Sequence, residues 1–211
     1  MPETNSHPLY LLTKSKFIAG RQCLKKMYLD VHHRDLATPD SAAQQFIYDC
    51  GNQVGKEAHT LFPGGEVVPL HRPEPQKAQR LTQVLLEDSS VPAIFEGAFL
   101  FNDTWVRVDV LRRQDDGAWH LIECKATTKT KEEHLWDVAL QSYVLKGCGI
   151  QVRRCSVMHI NREYRRGSSL HADSFMTSTD VSAAVEKLGQ EVPAYSDPSR
   201  PLIPTQVGHP F

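Results

Sequence analysis

Residues 93–126 read AIFEGAFLFNDTWVRVDVLRRQDDGAWHLIECKA, and this stretch decides the fold. Val, Ile, Phe and Trp are frequent in three segments of it, 93–101, 104–112 and 118–126, which are separated by the short sequences ND and DDG. Val, Ile, Phe and Trp favour strands, and Asn, Asp and Gly between the segments favour tight turns. The sequence therefore predicts three antiparallel strands in a meander.

The segments on either side of the meander have helical periodicity, with apolar residues three and four positions apart. After Thr13, which is a suitable helix cap, the first of them runs to about Val31. The other predicted helices cover about 41–62, 76–87, 132–146 and 181–191. A fourth strand is predicted at 153–160, so that a helix crosses over between the third and fourth strands. These elements predict an α/β fold with a mixed central sheet.

The composition is that of a folded domain. The chain has 211 residues, a formal net charge of -1 and 40% hydrophobic residues. These values exclude a disordered or coiled-coil chain, and also a protein held to nucleic acid by bulk charge. No apolar run reaches the roughly 18–20 residues that a membrane span needs, and we expect neither a span nor a signal peptide. Five cysteines without a CxxC pair predict reduced thiols in a cytoplasmic protein.

Two carboxylates and a lysine converge on one face of the predicted meander. Because side chains alternate along a strand, Glu123 and Lys125 share a face, and the hairpin brings Asp109 opposite them. Neighbouring carboxylates repel each other unless a cation lies between them, and their hard oxygens suit Mg²⁺ or Mn²⁺. With a lysine to orient or deprotonate water, such a group fits metal-assisted phosphodiester hydrolysis. The simpler interpretation of the Glu-x-Lys sequence alone is a cross-strand ion pair.

Motifs in this order resemble those of a known nuclease family. Asp109, thirteen further residues and then Glu123-Cys124-Lys125 resemble the D-xn-E-x-K signature of the PD-(D/E)XK nuclease superfamily. Gly55 and His59 are similar to the G-x-x-x-H motif of its RecB-like branch. The resemblance predicts a PD-(D/E)XK core for the α/β fold.

Two further segments carry the same resemblance. Residues 12–17 and 23–29 are similar to the start of CRISPR-associated RecB-like exonucleases, and 140–145 resembles the helix that carries the Gln and Tyr of the branch. A further likeness is to an uncharacterised bacterial family in which such a domain precedes a second nuclease-like domain. The likeness covers roughly residues 12–160.

The resemblance implies a metal-dependent deoxyribonuclease, and more specifically an exonuclease, that acts on DNA ends or single strands. The implied catalytic residues are Asp109, Glu123, Lys125 and Gln141. The implied ligands of Mg²⁺ or Mn²⁺ are His59, Asp109, Glu123 and the backbone carbonyl of Cys124. In this site Lys125 positions the attacking water. His59 also has a simpler interpretation, as a helix histidine packed on the sheet.

The sequence departs from the family pattern at two places. Gln141 and Tyr143 are two residues apart instead of four, so either Tyr143 is a core residue and Gln141 alone faces the site, or the motif is remodelled. Cys23 resembles the first ligand of an iron–sulfur cluster, but the close C-terminal cysteines that such a cluster needs are missing. We expect no iron–sulfur cluster, a half-buried Cys23 thiol, and a truncated or standalone version of a longer protein.

The predicted nucleic-acid contacts are basic residues after the third strand and around the fourth. They are Lys129, Lys131, Arg153, Arg154, Arg162, Arg165 and Arg166. Such residues fit a groove for a phosphate backbone, although a basic run is also typical of a solvated face. The alternative function is an inactive PD-(D/E)XK domain that binds nucleic acid or a protein partner, in DNA repair or phage defence. RNA is a weaker alternative as the substrate.

We interpret the chain as one domain, 1–211, with four parts. They are a helical N-terminal part at 12–92, a catalytic core at 93–160, an arginine-rich segment with a helix at 161–192, and an irregular tail at 193–211.

Overall fold

The computed structural model describes residues 11–69, 75–165, 167 and 170–193. The strands in these ranges are β1 (Leu12–Thr13), β2 (Glu66–Val67), β3 (Ala93–Phe101), β4 (Thr104–Arg113), β5 (Trp119–Lys125), β6 (Val152–Ile160) and β7 (Met176–Asp180). The helices are α1 (Lys14–Gln22), α2 (Leu24–His32), α3 (Ala42–His59), α4 (Pro75–Glu87), α5 (Glu132–Gly147), α6 (Ala172–Phe175) and α7 (Ser182–Gly189), with a 3₁₀ turn at Arg34–Leu36. None of the helices in the described part of the chain has both the length and the apolar character to cross a membrane.

The strands form one mixed sheet in the order β2-β3-β4-β5-β6-β7, and β1 pairs with β4 beside this path. The pairs β3–β4 and β4–β5 are antiparallel, and β5–β6 is parallel with α5 as the crossover. The predicted α/β class, meander, crossover helix and fourth strand are therefore confirmed.

The strands β4 and β5 separate where the sheet carries its acidic residues. Their ladder ends at the pair Val110–Ile122, and two residues further along β5 the amide of Cys124 donates to the Asp109 carboxylate at 2.7 Å. Since β3 pairs with β4 as far as Thr104, β1 occupies the other edge of β4, which β5 has left. The start of α1 consequently lies in the cleft between the two strands.

Apolar residues pack on both faces of the sheet. The larger cluster lies between the sheet and α5 and includes Leu111, Leu121 and Leu140, all fully buried. The second cluster joins α3 to the other face, where Val110 and Ile122 are buried. Glu123 belongs to the first face and Cys124 to the second, as strand alternation predicts. This double coverage places the acidic cleft inside the protein.

Three features differ from the sequence prediction or extend it. The helix predicted between Thr13 and Val31 is two helices, because Cys23 has extended backbone angles, φ -164 and ψ 117. The prediction of a half-buried Cys23 is wrong, since this turn leaves the residue exposed. The sheet gains β7, a strand with one buried residue and therefore no apolar alternation in its sequence. The tail predicted to be irregular lies outside the described residues from 194 onwards.

Candidate active site in the β4–β5 cleft

Glu123 is the centre of a buried polar cluster and is only 2% exposed. Its two oxygens accept hydrogen bonds from the ammonium of Lys14, each at 3.0 Å. Lys125 donates to Oε1 at 2.6 Å, and the Gln141 amide donates to Oε2 at 2.7 Å. The buried carboxylate is thus surrounded by donors, as its burial requires.

A third carboxylate, that of Asp137, completes the cluster. It lies on α5 one turn before Gln141, so both side chains point to the sheet from the same helix face. Lys125 donates to Asp137 at 2.7 Å, and the ammonium of Lys14 lies 3.4 Å from it. Sequence reasoning missed Lys14 and Asp137. The spacing of four residues between Asp137 and Gln141 was the available signal for Asp137.

The two meander carboxylates have opposite electrostatic environments. Burial and the charge of Glu123 raise the pKa of Asp109 to about 7, despite the nearby lysines. Burial alone would raise the pKa of Glu123 as well, but the charges of Lys14 and Lys125 outweigh it and hold this pKa well below its usual range. Glu123 is therefore ionised at neutral pH, whereas Asp109 is divided between its two forms.

Both lysines are ammonium ions in this site. Burial alone would lower the pKa of Lys125, but the carboxylates of Glu123 and Asp137 outweigh burial and raise it. The same balance raises the pKa of Lys14, where Asp137 is the largest favourable charge. In this arrangement Lys125 acts as a hydrogen-bond donor and positive charge, and it holds no free pair of electrons with which to take a proton from water.

The predicted ligand set of His59, Asp109 and Glu123 is not assembled. Across the described ranges, no three His, Cys, Asp or Glu side chains are arranged to hold a metal ion. His59 instead stacks on Phe95, with ring centroids 4.0 Å apart, and its buried Nε2 has no hydrogen-bond partner among the described residues. Burial lowers the pKa of His59. The simpler interpretation of His59, a helix histidine packed on the sheet, describes this position.

The chemistry of the cleft nevertheless fits a divalent cation. Asp109, Glu123 and Asp137 supply hard oxygen donors, and the Lys14 ammonium stands where these carboxylates need positive charge. Gln141 adds a buried Oε1 that has no partner among the described residues. The side chain of Cys124 packs against the cluster on the other face, and burial raises the pKa of its thiol. The predicted contact of its backbone carbonyl with a metal stays a prediction.

Gln141 alone of its predicted pair reaches the site. The Tyr143 ring packs on Phe101 in an edge-on contact with centroids 5.5 Å apart, and its hydroxyl lies 3.4 Å from Asn102. The two residues are two positions apart on α5 and therefore point in different directions. The first of the two alternatives drawn from the sequence matches this arrangement.

The predicted arginine cluster is split between the two ends of β6. Arg153 and Arg154 lie at the start of the strand, where Arg154 is in register with His120 of β5. Arg153 forms an ion pair with Asp116, and Arg154 forms one with Asp180. Both arginines are about 10 Å along the sheet from Glu123 and are not brought to the site.

Four other basic residues of the predicted set come after the C-terminal ends of β5 and β6, at the edge of the sheet where Lys125 lies. Lys129, Lys131, Arg162 and Arg165 are exposed there. The ammonium of Lys131 lies 3.5 Å from a carboxylate oxygen of Glu133. Arg166 is outside the described residues.

The fold is an α/β fold with a mixed sheet, and comparison with known proteins adds a distant likeness. No family model matches the chain, and no curated protein sequence matches it. The protein SSO0001, known from a crystal structure, has 12% sequence identity to this chain and a TM-score of 0.41. The alignment covers 89% of this chain and 77% of SSO0001. An alkaline exonuclease, LHK-Exo from Laribacter hongkongensis, is 13% identical with a TM-score of 0.35 and covers 90% of both chains.

Proposed function

We propose that the protein is a divalent-metal-dependent deoxyribonuclease of the PD-(D/E)XK superfamily and its RecB-like branch, acting on DNA ends or single strands. One observation carries the proposal: Asp109, Glu123 and Lys125 meet in the cleft where β4 and β5 separate. A scaffold gains little from such a group, because buried ion pairs cost desolvation that apolar residues avoid.

In this proposal each side chain has a defined task. Asp109, Glu123 and Asp137 would hold Mg²⁺ or Mn²⁺, and the ion would supply positive charge against the phosphate. The Lys125 ammonium holds the attacking water or a phosphate oxygen by a hydrogen bond. Gln141 fixes one oxygen of Glu123 through its amide, 2.7 Å away. Lys129, Lys131, Arg162 and Arg165 contact the DNA backbone at the same edge of the sheet.

The charge of the cluster supports a cation and an anionic substrate. Three carboxylates face two ammonium groups, so the ionised cluster has one excess negative charge. Asp109, with its raised pKa, relieves this excess by holding a proton. A bound divalent ion would give the cluster an excess positive charge, which one phosphodiester would neutralise.

The test is cleavage of end-labelled single-stranded, double-stranded and closed circular DNA with Mn²⁺, Mg²⁺ or EDTA. We expect metal-dependent loss of linear DNA in the wild type and none in Glu123→Gln, which keeps the shape of the side chain. Glu186→Gln, at an exposed carboxylate of α7, is the matched control and should cleave at the wild-type rate. Equal cleavage by Glu123→Gln and the wild type would refute the site.

A second candidate function is a binding module without catalysis. The observation that favours it is the pair of lysines, which already neutralises most of the acidic charge and leaves no ready metal site among the described residues. This function predicts that the protein binds DNA or a protein partner equally in Mn²⁺ and EDTA, with no cleavage of DNA. The cleavage assay, repeated with labelled RNA, decides between DNA and RNA as the substrate.

A further inference from the structure

Lys14 is the cation that the acidic cluster holds in this structure. Its ammonium donates to both oxygens of Glu123 at 3.0 Å and lies 3.4 Å from Asp137. It also donates to the carbonyl of Arg107 at 3.4 Å, on the part of β4 that β5 has left. This one group therefore bridges the sheet and α5 at the centre of the cleft.

The pairing of β1 with β4 and the cap of α1 fix the position of Lys14. The strand β1 ends at Thr13, paired with Trp105 of β4, and the Thr13 side chain caps α1. Lys14 is the first residue of that helix.

The other end of α1 is anchored to α5. Arg21 stacks over the ring of Trp136, 3.5 Å from its centroid, and Phe17 packs against the same ring. A helix held at both ends by the sheet and by α5 brings the lysine to the carboxylates in a defined geometry.

The lysine has space to leave the carboxylates without unfolding the helix. A groove of about 480 Å³ runs between α1, α2 and Asp137, and Lys14 lines it together with Ser15, Gln22 and Lys26. The Lys14 side chain is 23% exposed, so it already lies at the border between the cluster and this groove. A flexible four-carbon stem lets its ammonium cross that border.

We propose that Lys14 is the resident cation of the metal-free protein, and that a divalent ion displaces its ammonium from the carboxylates into the groove between α1 and α2. The inference rests on the proposed function, because it assumes that the carboxylates bind a metal. The Lys14 ammonium lies 3.0 Å from both Glu123 oxygens, where an ion held by this carboxylate would bind, whereas Lys125 contacts only Oε1. A divalent ion in that position would repel the Lys14 ammonium strongly, because like charges a few ångströms apart repel in a buried site.

The first test measures metal affinity instead of activity. Calorimetric titration with Mn²⁺ compares the wild type with Lys14→Met, which keeps the length of the side chain and removes its charge. We expect Lys14→Met to bind Mn²⁺ at least about tenfold more tightly, because the ion no longer displaces a competitor. Lys26→Met, in the same groove but with its ammonium near Gln22, is the matched control and should keep the wild-type affinity.

The second test uses the wild-type chain and so does not depend on whether the variant folds. Acetic anhydride labelling, read by mass spectrometry, reports how accessible each lysine is in EDTA and in Mg²⁺. We expect the labelling of Lys14 to rise severalfold in Mg²⁺ while that of Lys26 stays constant.

The outcomes separate this inference from the proposed function. Metal binding with equal or weaker affinity in Lys14→Met, or unchanged labelling of Lys14 in Mg²⁺ that calorimetry shows to be bound, overturns the displacement and leaves the nuclease proposal intact. Absence of Mn²⁺ binding in both proteins overturns the nuclease proposal and this inference together.

Discussion

Replacement of Asp109 by Asn tests the electrostatics of the cleft directly. The Asn side chain keeps an oxygen that can accept the Cys124 amide hydrogen bond, and it removes the carboxyl group whose pKa is raised from 3.8 to about 7. A raised pKa means that the folded protein holds this proton more tightly than the unfolded chain does. The stability of the wild type therefore falls as the pH rises between the two pKa values, and the Asn variant lacks this loss.

The size of the effect follows from the same two pKa values. Between about pH 5 and about pH 8, ionisation of Asp109 lowers the free energy of unfolding by about 2.5 kcal/mol, as calculated from the two pKa values. Because water reaches this half-buried residue, we reduce the expected loss to about 2 kcal/mol. His120 and His134, whose pKa values burial lowers to about 4, change stability in the opposite direction. Their contribution is common to both proteins and cancels in the difference between variant and wild type.

The assay is urea unfolding in EDTA at the two pH values. We expect the free energy of unfolding of Asp109→Asn, relative to the wild type, to increase by about 2 kcal/mol from the lower to the higher pH. Asp103→Asn, in the exposed turn between β3 and β4, is the control and should follow the wild type at both pH values. A difference between Asp109→Asn and the wild type that does not change with pH would refute a raised pKa at Asp109.

Three further predictions concern catalysis, binding and packing. Lys125→Met should lower turnover by a factor of about 100 or more while DNA affinity changes less than about twofold, measured by single-turnover cleavage and filter binding. Charge reversal at Arg162 and Arg165 should weaken DNA binding at low salt and reduce the slope of affinity against salt, in a titration by fluorescence anisotropy. Gly147→Ala should cost about 1–3 kcal/mol in urea unfolding, because the added methyl group overlaps the Phe101 ring.

Each of these variants has a matched control. Lys146→Met removes an exposed lysine near the end of α5 and should leave turnover unchanged; equal losses in both variants would contradict the role of Lys125. Charge reversal at Arg153 and Arg154 should weaken binding less, because both lie at the distant end of β6. Gly51→Ala, in a helix with open space around the glycine, should be neutral or stabilising by up to about 1 kcal/mol.

Local sequence patterns predict the sheet well because each element carries its own signal. The bounds predicted for β3, β4 and β5 agree with the structure to within one residue, since apolar strands alternate there with Asn-Asp and Asp-Gly turns. The two short strands that flank this region had no such signal. β1 and β2 contain two residues each, and they exist because the edges of β4 and β3 offer free backbone groups.

The strand pattern predicts three residues of the site, and the family resemblance adds Gln141 on α5. Glu123 and Lys125 are two apart on β5, and Asp109 is placed opposite them by the hairpin. Lys14 reaches the same cluster from 109 positions away, which no periodicity in the chain reveals. The roles of all these residues in catalysis and metal binding stay predictions.

The pairing of β1 with the free edge of β4 has a consequence for the order of folding. The meander closes through short hairpins, whereas the contact between Lys14 and Glu123 closes a loop of 109 residues and loses the corresponding chain entropy. We expect the hairpins to form first, with Lys125 as the nearby positive charge for their carboxylates, and the N-terminal segment that carries Lys14 to dock last. The final step then joins opposite charges across a nearly complete protein, and its rate should decrease as salt screens their attraction.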